Sequence, residues 1–349
     1  MLYIIVIMDF FTKTSNISSD ICIKIPWVEK YRPKNSKEIL LEPFIKQKIE
    51  KILENKSIPN MIITGEPGTG KTSTILFLAK QIYGTLYDEN VLELNASDDR
   101  GLSIINNTIY PFCKKKSNLK NGLTHKLVIL DEADSITPKA QNLLSNIISE
   151  FRNTTRIVFI CNDCTQIIES IQSRCIIIKY PKINMDNLYQ KIETICMNEK
   201  MEYNVNGINT LLFFSDNDIR HTINNLECIY YSFGKLDDVS VYRMIDKPKP
   251  YYISELLKSC YANDYVKTIN IVKELYNKGY TPNDILLTFM KYLFENETLK
   301  MKEEIKLSIY EIISLSYIRV NGGIDTMLQL CGCVSKIFIY LQTQISVDK

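Results

Sequence analysis

Residues Gly65-Glu66-Pro67-Gly68-Thr69-Gly70-Lys71-Thr72 fit G-x-x-x-x-G-K-[ST], the phosphate-binding loop. Gly68 and Gly70 let the backbone approach phosphate without a side chain in the way. Lys71 would reach the β- and γ-phosphates, and the Thr72 hydroxyl would ligate magnesium. A second group stands at Asp131-Glu132. Placed after a phosphate loop, Asp131 would hold the metal, directly or through water, and Glu132 would orient or deprotonate the attacking water. Asn162 is a further polar residue at the end of an apolar run. An amide there could position water or sense the γ-phosphate, or it could simply form a turn. Together these residues predict nucleoside-triphosphate hydrolysis.

Such chemistry needs strands ending at the ligand. Met61-Ile62-Ile63-Thr64, rich in β-branched residues, reads as a buried strand. Ile75, Leu78, Ala79 and Ile82 then repeat at helical spacing, with Gly84 as a stop. This order aims backbone N–H groups and a helix N-terminus at an anion. Further strands are expected at 91–95, 126–130, 156–161 and 175–178. Helices are expected at 38–53, 104–112, 137–151 and 167–171, with Thr137-Pro138 as N-cap and N1. Alternation of this kind predicts a parallel sheet with helices on both faces. After Tyr180-Pro181 only helical patterns follow: 186–198, 206–214 and 218–233. Lys247-Pro248-Lys249-Pro250 breaks the pattern as a linker. Five more helices are expected near 252–261, 265–277, 281–295, 302–317 and 324–342. Their apolar stripes suit packing or oligomerisation, and they carry no catalytic cluster.

Of the 349 residues, 45% are hydrophobic and 23% charged, ordinary values for a globular protein. The formal net charge of +2 requires any nucleic-acid binding to come from a local basic surface. Lys114 to Gly122 is one candidate, either a solvated loop or a DNA-facing patch. The longest apolar runs fall short of the ~18 residues that span a bilayer, so no membrane role is expected. Leu2 to Met8 lacks a basic leader, which argues against a signal peptide. The ten cysteines are scattered, and Cys161-x-x-Cys164 has no second ligand pair, so reduced thiols are expected rather than zinc. Pro26-Trp27-Val28-Glu29-Lys30-Tyr31-Arg32-Pro33 holds the single tryptophan between two prolines. It is expected to be extended or turned, as a base-stacking surface or as an arm packed on the core. Arg220, in the first turn of its helix, could reach phosphate if that helix folds over the site.

The chain resembles the small subunits of replication factor C, an AAA+ clamp loader. The resemblance covers residues 25 to 245 well and the tail loosely. It rests on Pro26–Pro33, Gly65–Thr72, Leu94–Gly101, Leu130–Asp134, Cys161-Asn162 and Ser173-Arg174-Cys175. The match is strongest with the ATP-hydrolysing small subunits of the five-subunit eukaryotic complex. It implies an AAA+ domain with a five-stranded parallel sheet (25–180), a helical lid (181–246) and a helical collar (251–349); residues 1–24, apolar but short at their start, are expected to be a poorly ordered or weakly docked N-terminal extension. It implies ATP and Mg2+ as bound groups. Val28, Tyr31 and Arg32 would lie near the base. Gly65, Glu66, Pro67, Gly68, Thr69, Gly70, Lys71, Thr72 and Ser73 would surround the phosphates. Thr72 and Asp131 would hold magnesium, Asn162 would be sensor 1 and Arg220 sensor 2. Arg174 would be an arginine finger serving a neighbouring subunit's ATP.

The partners implied are other replication factor C subunits in a hetero-pentamer, a PCNA-type sliding clamp, and primer–template DNA held without sequence preference. The location implied is the nucleus, or a viral replication factory for a large DNA virus. Four departures stand out. Glu66 replaces a usual proline and would weaken nucleotide binding if it pointed inward. His221 replaces a second arginine beside Arg220. Ser145-Asn146 replace two arginines, and Asn106 a basic residue; these last two put DNA grip in doubt. Two other readings compete with an active clamp-loader subunit. One is an assembly subunit whose ATP is structural, against which intact Lys71, Thr72, Asp131, Glu132 and Arg174 argue. The other is a Holliday-junction motor, against which Pro26–Pro33 and Ser173-Arg174-Cys175 argue. A subunit of an alternative, checkpoint or repair loader would look the same.

Overall fold

The structure is a computed structural model and describes residues 25–347 except 34, 36–37, 99–100, 117–124 and 296–300. The expected N-terminal extension therefore lies outside the described residues, as do Asp99, Arg100 and most of the basic loop after Lys116.

The described residues form two compact units: those up to 201 with 211–227, and 202–210 with those from 228 onward. The first is built on five strands: β1 (Met61–Gly65), β2 (Val91–Asn95), β3 (Lys126–Asp131), β4 (Thr155–Cys161) and β5 (Ile176–Tyr180). Their order is β2-β3-β4-β1-β5, and every pairing is parallel. Among the described residues, helices of seven residues or more in this unit are α1 (Pro43–Asn55), α2 (Lys71–Tyr83), α3 (Pro138–Glu150) and α4 (Met185–Asn198), followed by α5 (Val205–Ser215) and α6 (Ile219–Phe233), which it shares in part.

Strand side chains alternate between the two faces, and both faces are covered. Ile62, Val128, Leu130 and Phe159 pack with Ile105, Ile109, Leu144 and Ile148 on one side. Met61, Ile63, Leu127, Ile129, Val158 and Ile160 pack with Ile45, Ile49, Ile75 and Leu78 on the other. Burial on both sides is why these strands read as continuous apolar runs.

Some local features differ from expectation. The first long helix starts at Pro43, not Glu38, because proline's fixed φ and missing N–H suit the first helical position. The expected helix at 104–112 is a composite: α-helical at 102–104, π-helical at Ile105–Ile109, and α-helical again at 110–114. Pro111 cannot donate to residue 107 and its ring would clash there, and a widened turn just upstream relieves both problems.

The second unit contains β6 (Glu202–Tyr203) and β7 (Lys235–Leu236), a parallel pair not expected from the sequence. Helices α7 (Asp238–Met244), α8 (Pro250–Tyr261), α9 (Tyr265–Asn277), α10 (Pro282–Glu295), α11 (Glu303–Asn321) and α12 (Met327–Val347) follow. Leu256, Leu275, Phe289, Ile313, Val334 and Ile337 are among the buried residues joining α8 to α12. Asp237 caps α7 through the Ser240 N–H at 2.8 Å, and the Ser240 hydroxyl accepts the Asp237 N–H in return.

Candidate nucleotide site

The loop between β1 and α2 curls at the carboxyl ends of the strands, where open α/β sheets bind ligands. Gly68 has φ +72°, and a Cβ there would come within 1.9 Å of Asp218 Oδ1. Only glycine fits that conformation beside that carboxylate. Asp218 is itself held, accepting the His221 N–H at 3.0 Å at the start of α6.

Lys71 opens α2 and is buried. Its Nζ donates to Gly65 O at 2.7 Å, to Glu66 O at 2.8 Å and to Asn162 Oδ1 at 3.0 Å. Burial lowers its pKa, while nearby Asp131 and Asp134 push it back up. The ammonium is thus desolvated and held by neutral acceptors, a setting in which an anion gains more than it would in water.

Thr72 Oγ1 donates to Asp131 Oδ2 at 2.8 Å, and Asp131 Oδ1 accepts the Glu132 N–H at 2.9 Å. A hydroxyl and a carboxylate side by side form a hard-oxygen pair suited to magnesium, which takes its other ligands from phosphate and water. No cluster of three acidic, histidine or cysteine ligands occurs among the described residues, so these residues fit a metal carried in with its phosphate. Glu132 stands at φ 52°, ψ 40°, left-handed for a non-glycine residue. Such backbone is uncommon and concentrates at functional sites. Asn162 is fixed by its backbone: its N–H donates to Asp134 Oδ2 at 3.3 Å and its carbonyl accepts from Thr64 Oγ1 at 3.0 Å.

These groups line one cavity of about 210 Å3. Its walls include Val28, Tyr31 and Arg32, the segment Pro67, Gly68, Thr69, Gly70, Lys71, Thr72 and Ser73, and Asp131, Glu132, Asn162 and Arg220. Gly65 contributes its carbonyl to Lys71 without lining the cavity. Glu66 points away and pairs with Lys182 at 3.1 Å, which removes the expected conflict with phosphate. Arg174 is elsewhere. It lies two residues before Ile176, which pairs with Met61 at the far end of the sheet from Gly65. Nε donates to Ser149 Oγ at 3.1 Å, and the guanidinium also donates to Ser170 O. Four steps of ~3.3 Å separate Met61 from Gly65, about 13 Å, with Arg174 further back still.

The segment around Trp27 forms a short helical turn, Trp27–Lys30. Trp27 is 3% exposed and packs inward, so it offers no stacking surface. Tyr31 stands edge-on to it, with centroids 6.2 Å apart. Cavity residues missed in the sequence include Glu38, Ile39, Thr74, Ile183, Lys191 and Ile223. Ile219 and Ile223 flank Arg220 at helical spacing, a signal that was present in the sequence. Gln141 was also missed. It is buried, donates to Ile136 O and Gln166 O at 3.0 Å each, and accepts the Ile168 N–H at 2.8 Å, so it braces the segments that follow β3 and β4.

Fold and site together define a P-loop ATPase of the AAA+ class. Residues 61–182 match the family described as ATPase family associated with various cellular activities, and residues 248–336 match the Replication factor C C-terminal domain. The chain is 36% identical to replication factor C subunit 2 of Arabidopsis thaliana over 318 residues, covering 91% of this chain and 94% of that protein. It is 35% identical to subunit 4 of Saccharomyces cerevisiae, covering 92% and 98%, and 31% identical to the small subunit of Sulfolobus acidocaldarius, covering 91% and 97%. Among solved structures, the Thermotoga maritima RuvB Holliday junction branch migration motor shares the fold, with a TM-score of 0.52 at 16% identity over 66% of this chain and 78% of that one. The chain belongs to the replication factor C small-subunit family, and it is a nucleotide-binding ATPase of a multi-subunit clamp loader.

Proposed function

We propose that this subunit binds ATP with Mg2+ and hydrolyses it within a hetero-pentameric loader. That loader opens a PCNA-type clamp and closes it on primer–template DNA in the nucleus. In this reading residues 181–246 act as the lid and 251–349 as the collar. The observation that carries the proposal is the separation of parts: Lys71, Thr72, Asp131, Glu132 and Asn162 share one cavity, whereas Arg174 stands at the opposite end of the same sheet.

Lys71 and the loop N–H groups hold the β- and γ-phosphates. Thr72 and Asp131 would hold a magnesium ion, which would supply charge neutralisation at the phosphates. Glu132 orients the attacking water and accepts its proton, and Asn162 fixes both Lys71 and the water's approach. Arg220 adds a second cation from α6. Val28, Tyr31 and Arg32 enclose the base. Arg174 is too distant for its own nucleotide and serves a neighbour's. A cation supplied in this way makes hydrolysis depend on assembly. The DNA contact of this subunit is weak in this reading, because Ser145 is buried and only Asn106 and Asn146 face outward at the positions where basic residues are usual.

The test is ATP hydrolysis by the purified chain alone, then with partner subunits, clamp and primed DNA. Low activity alone with strong stimulation by the mixture is expected. A rate that ignores partners, clamp and DNA would reject the shared-site reading.

A further inference from the structure

Two glutamates outside the cavity hold the turn that forms its base-side wall. Glu199 follows the last residue of α4, and its Oε1 accepts from both Lys30 Nζ and the Tyr31 hydroxyl. Glu227 lies on α6, and its Oε2 accepts the Trp27 N–H at 2.9 Å. That N–H is one of the donors a helical turn leaves unpaired at its start. The Trp27–Lys30 turn is therefore tied by a carboxylate at each end. Val28, between the ties, and Tyr31, itself tied, line the cavity.

The helices that supply the carboxylates also line the cavity, α4 through Lys191 and α6 through Ile219, Arg220 and Ile223. Arg220, Ile223 and Glu227 stand at i, i+3 and i+7, one stripe of α6. The stripe thus carries a phosphate-side cation, a cavity-lining apolar residue and a tie to the base-side wall. Tyr31 has little freedom once tied. Its ring meets the buried Trp27 edge-on, its hydroxyl is held by Glu199, and burial with that bond keeps the proton on the phenol.

We propose that Glu199 and Glu227 are positioning residues for the nucleotide: they hold the Val28–Tyr31 wall against α4 and α6, so that base affinity depends on them although neither lines the cavity. The inference rests on the ATP-binding reading. It predicts a defect that belongs to the base and spares the triphosphate.

The experiment measures binding of ATP and of inorganic tripolyphosphate to the full chain by equilibrium titration, with thermal melting as a control. Glu199→Ala should weaken ATP about five- to tenfold, the scale of one ordinary hydrogen bond, and leave tripolyphosphate within about twofold. Glu199→Gln keeps an acceptor for Tyr31 and should recover most of the ATP affinity. Tyr31→Phe, which keeps the ring, should show the same ATP-selective loss, and adding Glu199→Ala should weaken ATP little further. Tyr31→Phe carries the test if Glu199→Ala melts early. Equal losses of ATP and tripolyphosphate, or unchanged ATP binding by both variants, would overturn the proposal. A wild-type chain that binds neither ligand would instead reject the phosphate-loop reading beneath it.

Discussion

The two ends of the five-stranded sheet are built for different tasks. At the carboxyl ends Lys71 donates to Asn162, Thr72 donates to Asp131, and Asp131 accepts the Glu132 N–H, with all five residues lining one cavity. At the amino ends an open groove is lined by Lys51, Asn55, Ser57, Asn60, Arg156 and Arg174, with cations and no carboxylate. The first end can hold phosphate, metal and water together. The second offers positive charge and no carboxylate among the residues that line it. One sheet thus gathers a lysine, a hydroxyl, carboxylates and an amide at one end and several cations at the other. The proposal that Arg174 serves a neighbouring subunit's nucleotide rests on that separation.

The comparison breaks most directly at Lys71. Lys71→Ala removes the cation that both loop carbonyls and Asn162 are arranged to hold, and nucleotide binding by the purified chain should be lost altogether. Tight ATP binding by this variant would mean that the carboxyl-end cavity is not the phosphate site. Next in size is Arg174→Ala. It should leave this chain's ATP affinity unchanged and lower hydrolysis at a neighbouring subunit by about 10^3-fold, the scale of arginine fingers elsewhere. Assemblies with a single active site on the neighbour supply the readout. A defect confined to this chain's own site would erase the distinction between the two ends.

Gly68→Ala sharpens the carboxyl end. The substitution adds a Cβ where φ is +72° and drives it into Asp218. The strain alone is of order 1–3 kcal/mol, so a melting temperature lowered by several degrees is expected, with weaker ATP binding. Asp218→Ala in the same chain should restore part of the loss by clearing the collision. Failure to do so would show that the backbone conformation, and not the carboxylate, makes glycine necessary.

Much of the carboxyl end is legible in the sequence. A glycine loop between an apolar strand and an amphipathic helix has few meanings, and Asp131-Glu132 and Asn162 stand at the ends of strands that read clearly. What was not legible depends on residues far apart in the chain. Glu66 pairs with Lys182, far along the chain, and the N–H of the buried Trp27 is met by Glu227 of α6. Lys191 and Ile183 reach the cavity only after the chain folds back. Two-residue strands such as β6 and β7 are too short to show a period. The π-turn at Ile105–Ile109 follows from a single proline one turn later, a consequence visible only once the backbone is traced.

The smallest effect concerns the amino end and its charge balance. His125 precedes β3, and Arg156 NH2 lies 2.9 Å from its Nε2. Burial first, and the Arg156 charge second, lower its pKa below the usual 6.5. A histidine depressed in the fold binds its proton more readily when unfolded. Its contribution to stability is therefore full above about pH 6.5 and declines as the pH falls through the lower folded value. Melting temperature followed from pH 7.5 to 5 should decline in the wild type more steeply than in His125→Gln, which cannot be protonated there. Parallel curves would mean that neither burial nor Arg156 lowers the proton affinity of His125 in the fold.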